Sequence, residues 1–68
     1  MSDRAQRVLD ALIEYDDNKG IEYPILAISD FFDNETIESF DKNIEEDYES
    51  LTVEEEKQVI KAFLEFAY

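Results

Sequence analysis

Apolar residues recur at helical spacing in separate windows of the chain, and most windows carry their own start or stop signal. Over residues 3–15, Ala5, Val8, Leu9, Leu12, Ile13 and Tyr15 fall mainly at three- and four-residue steps. That pattern predicts an amphipathic helix, with Ser2 as its N-cap. Asp3 with Arg7 and Arg7 with Asp10 sit one helical turn apart, so charge pairing along the outer face is expected. Asp16-Asp17-Asn18-Lys19-Gly20 then ends the helix. Asn and Gly tolerate the left-handed backbone that follows a helix, and Gly20 is the only glycine in the chain.

Residues 21–32 are apolar nearly all round from Pro24 onward. Pro24 cannot donate to a β-ladder but suits the first turn of a helix, which predicts a short buried or interfacial helix here. Residues 21–23 are left as an irregular or extended segment. Asp33 or Asn34 can cap a third helix running to about Glu49, with Ile37, Phe40, Ile44 and Tyr48 as one narrow apolar stripe. The last helix has the clearest start, because Thr52 and Glu55 form the S/T-x-x-E pattern of a capping box. Its expected buried face is Val53, Val59, Ile60, Phe63, Leu64 and Ala67, and Glu54 with Lys57 and Lys61 with Glu65 are expected to pair locally. The fold class is therefore all-α, a compact bundle of three or four short helices in one domain spanning residues 1–68.

Charge changes this picture in the middle of the chain. Residues 21–50 carry ten carboxylates against one lysine, so −9 of the total −13 falls in under half the length. The flanks are nearly balanced, at −2 for residues 1–20 and −2 for residues 51–68. Concentrating acids costs stability through self-repulsion, which points to a basic partner and against direct binding to nucleic acid or anionic lipid. Halophilic adaptation would spread its acids evenly, and these are clustered. At 44% hydrophobic residues the chain is too apolar for a disordered acidic tail. It has no cysteine to staple it, and small unstapled domains often complete their core by association, so a homodimer is expected. No apolar run resembles a signal peptide or a membrane span, which implies a cytoplasmic protein with no membrane partner.

The candidate site is the acidic third helix. Glu35, Glu38, Asp41, Glu45, Glu46 and Glu49 are its main carboxylates, with Asp47 also on it and Asp30 and Asp33 as a second row. As one helix, residues 35–49 would span roughly 22 Å, or one net negative charge per ~3.7 Å, close to the ~3.4 Å phosphate spacing of a DNA strand. Such a row can occupy a groove whose Lys and Arg are placed for a nucleic-acid backbone. Phe31 and Phe32, between Asp30 and Asp33, are candidate apolar anchors that insert into a partner, or else rings of the core. A second class of function follows from the same stretch: a structural or regulatory helical module burying Ile25, Leu26, Ile28, Phe31 and Phe32 against a partner chain.

The acids of residues 30–49 interleaved with Phe31, Phe32, Phe40 and Tyr48 give the whole chain a resemblance, of physical type and without a shared motif, to the small acidic helical proteins that phages use as DNA mimics against restriction or CRISPR effectors. The resemblance implies an inhibitor that blocks the nucleic-acid-binding site of a host defence protein, acts in the host cytoplasm and has no catalysis of its own. Bacteriocin immunity proteins and acidic antitoxins have the same look with a different target.

Other chemistry finds little footing. There is no histidine and no cysteine for nucleophilic or base catalysis or for thiolate metal sites. Tyr15-Asp16-Asp17-Asn18-Lys19-Gly20 fails as a calcium loop, since aligning Gly20 with the loop glycine puts Tyr15, Lys19 and Leu26 at ligand positions. One glycine cannot build a phosphate cradle, and no Asp-Ser-Leu run supplies an acyl-carrier attachment site. A non-enzymatic protein with no cofactor and no metal is expected.

Overall fold

A computed structural model describes all residues from Met1 to Tyr68. The chain folds into five helices and no strand: α1 (Asp3–Lys19), α2 (Pro24–Phe31), α3 (Asn34–Ser39), α4 (Lys42–Ser50) and α5 (Val53–Ala67). The local signals are realised in place. Ser2 Oγ accepts from the Ala5 amide, and Gly20 closes α1 at φ 63°, the left-handed conformation, with its amide donating to the Asp16 carbonyl. Hydrogen bonding carries α1 through Lys19, one turn beyond the apolar periodicity that stops at Tyr15. Residues 21–23 stay irregular, and Pro24 opens α2, where its missing N–H leaves nothing unpaired.

The expected single third helix is two. Phe40 leaves the helix in an extended conformation (φ −77°, ψ 169°), and Asp41 becomes the N-cap of α4, its carboxylate accepting from the Asn43 and Ile44 amides. Two contacts account for the break. The Asp41 side chain offers the backbone a capping geometry that a continuous helix would forgo. The displaced Phe40 ring then packs 5.0 Å from Phe31 and 6.0 Å from Tyr15, centroid to centroid.

α1 is the central helix. Glu55 meets Ser2 and Arg4 at one end of it, and Tyr68 meets Asp16 at the other, so α1 and α5 run parallel. Arg7 pairs with Asp47 while Tyr15 lies against Phe40, so α4 runs antiparallel to α1. The core is Ala5, Val8, Leu9 and Leu12 of α1 with Ala27, Phe31, Ile37, Val59 and Phe63. A cluster of Tyr15, Phe31, Phe32, Phe40 and Tyr48 closes one side. The Cα radius of gyration, 10.9 Å, is that of a single chain closed on itself, for which about 11 Å is expected at this length.

Three further expectations are corrected. Phe31 is completely buried and Phe32 half-buried against Phe31 and Tyr48, so neither is an exposed anchor. On α5 only Val59, Phe63 and Glu55 are buried, while Val53, Ile60, Leu64 and Ala67 face outward. The local charge pairs do not form. Arg7 reaches Asp47 (2.6 Å) and Arg4 reaches Glu55 (2.7 Å), both across the fold.

Candidate functional site

The acidic middle of the chain is presented on α2, α3 and α4, each of which turns its apolar side to α1 or the aromatic cluster. Ile37 is buried on α3, and Ile44 and Tyr48 are half-buried on α4. The outward positions of these two helices therefore belong to Glu35, Glu38, Glu46 and Glu49, all exposed, with Glu45 half-buried at the side. None of these five glutamate carboxylates has a hydrogen-bond or ion-pair partner within the chain. The three aspartates assigned to the same site have structural work as well. Asp33 caps α3 through the Glu35 amide (3.0 Å), Asp41 caps α4, and Asp30 accepts from the Tyr15 hydroxyl (2.6 Å). All three remain exposed and keep their charge on the surface.

The break at Phe40 and Asp41 replaces a straight row of carboxylates with two shorter ones. At about 1.5 Å per residue, α3 contributes roughly 9 Å and α4 roughly 13 Å. The charge count of the region is unchanged, but its path bends. No three carboxylates converge closely enough to hold a metal ion between them. The acids are spread over a face and do not gather at one point.

Why the face stays uncompensated is visible in the basic residues. Both arginines are engaged by other carboxylates, Glu55 on α5 and Asp47 on α4. Arg4 donates from Nε and Nη2 to Glu55, and Arg7 donates from Nε (2.6 Å) and Nη2 (3.0 Å) to Asp47. Lys42, the one cation within the acidic region, forms no ion pair. Asp47 is thereby removed from the free acids, and its carboxyl is held below its ordinary range by the Arg7 guanidinium.

Glu55 is the residue whose role the sequence shows only in part. Besides accepting from the Thr52 amide (2.9 Å) in the capping box, it accepts from Arg4 and from the Ser2 hydroxyl. One carboxylate thus joins the N-termini of α1 and α5. Arg4 foremost, then Ser2 and the Thr52 amide, hold its carboxyl far below the usual range. The Tyr15 phenol is pushed up by its bond to Asp30 and by burial, and the Tyr68 phenol by burial and Asp16. Arg4 and Arg7 are pushed up by Glu55 and Asp47. All six perturbed groups are therefore driven deeper into the protonation state they already hold at neutral pH. General acid–base catalysis asks for the reverse, a group moved toward neutrality.

An open groove of about 480 Å³ lies between α1 and the α3–α4 break. Ala11, Tyr15, Phe40 and Ile44 form its apolar part, and Asp10, Glu14, Asp41, Arg7 and Lys19 its charged part. It brings Asp10 and Glu14 of α1 beside Asp41, so the acidic surface extends onto a helix that the charge distribution along the chain had not singled out. The available signal was their one-turn spacing on the outer face of α1.

No protein-family model, curated protein or solved structure matches this chain.

Proposed function

We propose that this protein is a non-enzymatic inhibitor whose acidic α3–α4 face occupies the Lys/Arg-lined nucleic-acid groove of a partner protein, with a phage-type block of a host defence nuclease as its most concrete form. The observation that carries the reading is the set of glutamates Glu35, Glu38, Glu45, Glu46 and Glu49 with unpartnered carboxylates, while both arginines are taken up by Glu55 and Asp47. A fold selected for stability alone would pair more of these carboxylates with cations, because like charges at this density repel. Asp30, Asp33 and Asp41 add charge from fixed positions, since each is held by a hydrogen bond. Fixed charges lose little freedom on docking, and that favours rapid, electrostatically steered association.

The supporting experiment is capture from host lysate with wild-type bait beside a Glu35→Lys/Glu38→Lys/Glu46→Lys variant. The wild type should retain a nucleic-acid enzyme that the variant loses, with identical far-UV circular dichroism for both. Equal capture by the two baits would remove the acidic face from the mechanism.

A second reading, a helical module that binds through an apolar patch, retains one specific observation. Ile25 is 84% and Leu26 55% exposed on α2. The patch is smaller than the sequence suggests, because Phe31 is buried and Phe32 and Ile28 are half-covered. Salt separates the readings, since an apolar contact should hold or tighten at high salt and a charged one should weaken.

A further inference from the structure

We propose that the outer stripe of α5 is a self-association seam, on which a second copy of this chain packs its own α5 in parallel. Val53 is 70% exposed, Ile60 37% and Leu64 40%, and Ala67 is exposed as well. They step by seven, four and three residues, and with Lys57 they fill successive a and d positions of two heptads, Ile60 at d. The seam does not compete with folding, because α5 meets the core through Val59, Phe63 and Glu55 on a different face.

Charge says what covers the stripe. Two copies of a chain carrying −13 repel less through either flank, each at −2, than through residues 21–50 at −9, and of the two flanks residues 51–68 carry the exposed stripe. Charge also sets the orientation. With Ile60 at d, Glu56 takes g and Lys61 takes e, and neither forms an ion pair within the chain. In a parallel pair each g residue faces the e residue five positions on in the other helix, so Glu56 meets Lys61 of the second copy twice by symmetry. An antiparallel pair would instead set e against e and g against g, so Glu56 and Lys61 would not face each other. Lys57 at an a position weakens the seam but fixes its register, with its stem on the apolar stripe and its ammonium reaching water. The helix spans only about 22 Å, so the seam falls below the ~800 Å² per partner of a standard interface and association is weak and concentration-dependent.

The test is sedimentation equilibrium of the full chain over rising concentration, joined to single-cysteine cross-linking, which is unambiguous because the chain has no cysteine. The wild type should approach a dimer, and Ile60→Asp should remain monomeric with unchanged helicity. Glu56→Lys should weaken association roughly tenfold, since it turns two attractions into two repulsions. Glu56→Lys/Lys61→Glu should restore it. Val53→Cys, at d and facing its own copy in a parallel pair, should form a disulfide-linked dimer far faster than Glu35→Cys. A monomer at every concentration, a dimer indifferent to Ile60→Asp, or equal cross-linking at the two positions would each overturn the seam.

Discussion

Phe31 gives the sharpest separation between core and contact surface. Its ring is fully buried and lies 5.6 Å from Tyr15, 4.8 Å from Phe32 and 5.0 Å from Phe40, centroid to centroid. Phe31→Leu keeps most of the apolar volume and removes the ring from all three pairs. At ~0.5–1.5 kcal/mol per pair beyond area burial, with partial repacking, the loss is about 2–3 kcal/mol. A domain of this length has only about 3–10 kcal/mol in total. Each kcal/mol moves the melting temperature of a small domain by about 4–8 °C, so the variant should melt roughly 10–20 °C lower. Ile25→Ser, one helical stretch away and exposed, should stay within about 0.5 kcal/mol of wild type. Thermal denaturation followed at 222 nm measures both. An unchanged melting temperature for Phe31→Leu would mean that the ring does not organise the aromatic cluster, and the position of α2 against α1 would have to be redrawn.

Other outcomes follow from the same structure. Because the Glu55 carboxyl is held far below its ordinary range only when folded, its contribution is complete above the usual glutamate value and fades as pH falls below it. An acid titration of the unfolding free energy should therefore show a falling limb that Glu55→Gln flattens. Asp41→Ala should cost about 1 kcal/mol in urea denaturation through loss of the α4 cap, whereas Asp41→Asn keeps the cap and should be nearly neutral. If the two variants were equally destabilised, charge rather than capping would be the role of Asp41 in the fold. Raising salt should raise the melting temperature, since screening relieves the self-repulsion of a −13 chain more than it weakens the two ion pairs. A fall would show that the ion pairs outweigh the repulsion.

What could be read from the sequence was the local chemistry. Ser2, Gly20, Pro24 and the Thr52–Glu55 box each act through backbone groups within a few residues, and each stands where its pattern placed it. The break at Phe40 was hidden because Ile37, Phe40, Ile44 and Tyr48 keep helical spacing whether or not the backbone between them is helical. The one local hint was an aspartate at the start of Asp41-Lys42-Asn43. On α5 two apolar stripes compete, one through Val59 and Phe63 and one through Val53, Ile60 and Leu64. Periodicity alone does not rank them, and docking on α1 chose the first. The arginine partners are 51 and 40 residues away along the chain, so only the assembled fold shows that Glu55 and Asp47 are engaged and the glutamates of α3 and α4 are free. The acidic region itself was legible throughout, and its bend was not.

The most direct test of groove mimicry is competition at equilibrium, with the captured partner held at fixed concentration and its cognate nucleic acid titrated in. A protein that occupies the nucleic-acid groove should be displaced completely, and its affinity should fall steeply with salt, as lost charge contacts require. A ternary complex in which protein and nucleic acid bind together, at an affinity indifferent to salt, would contradict it.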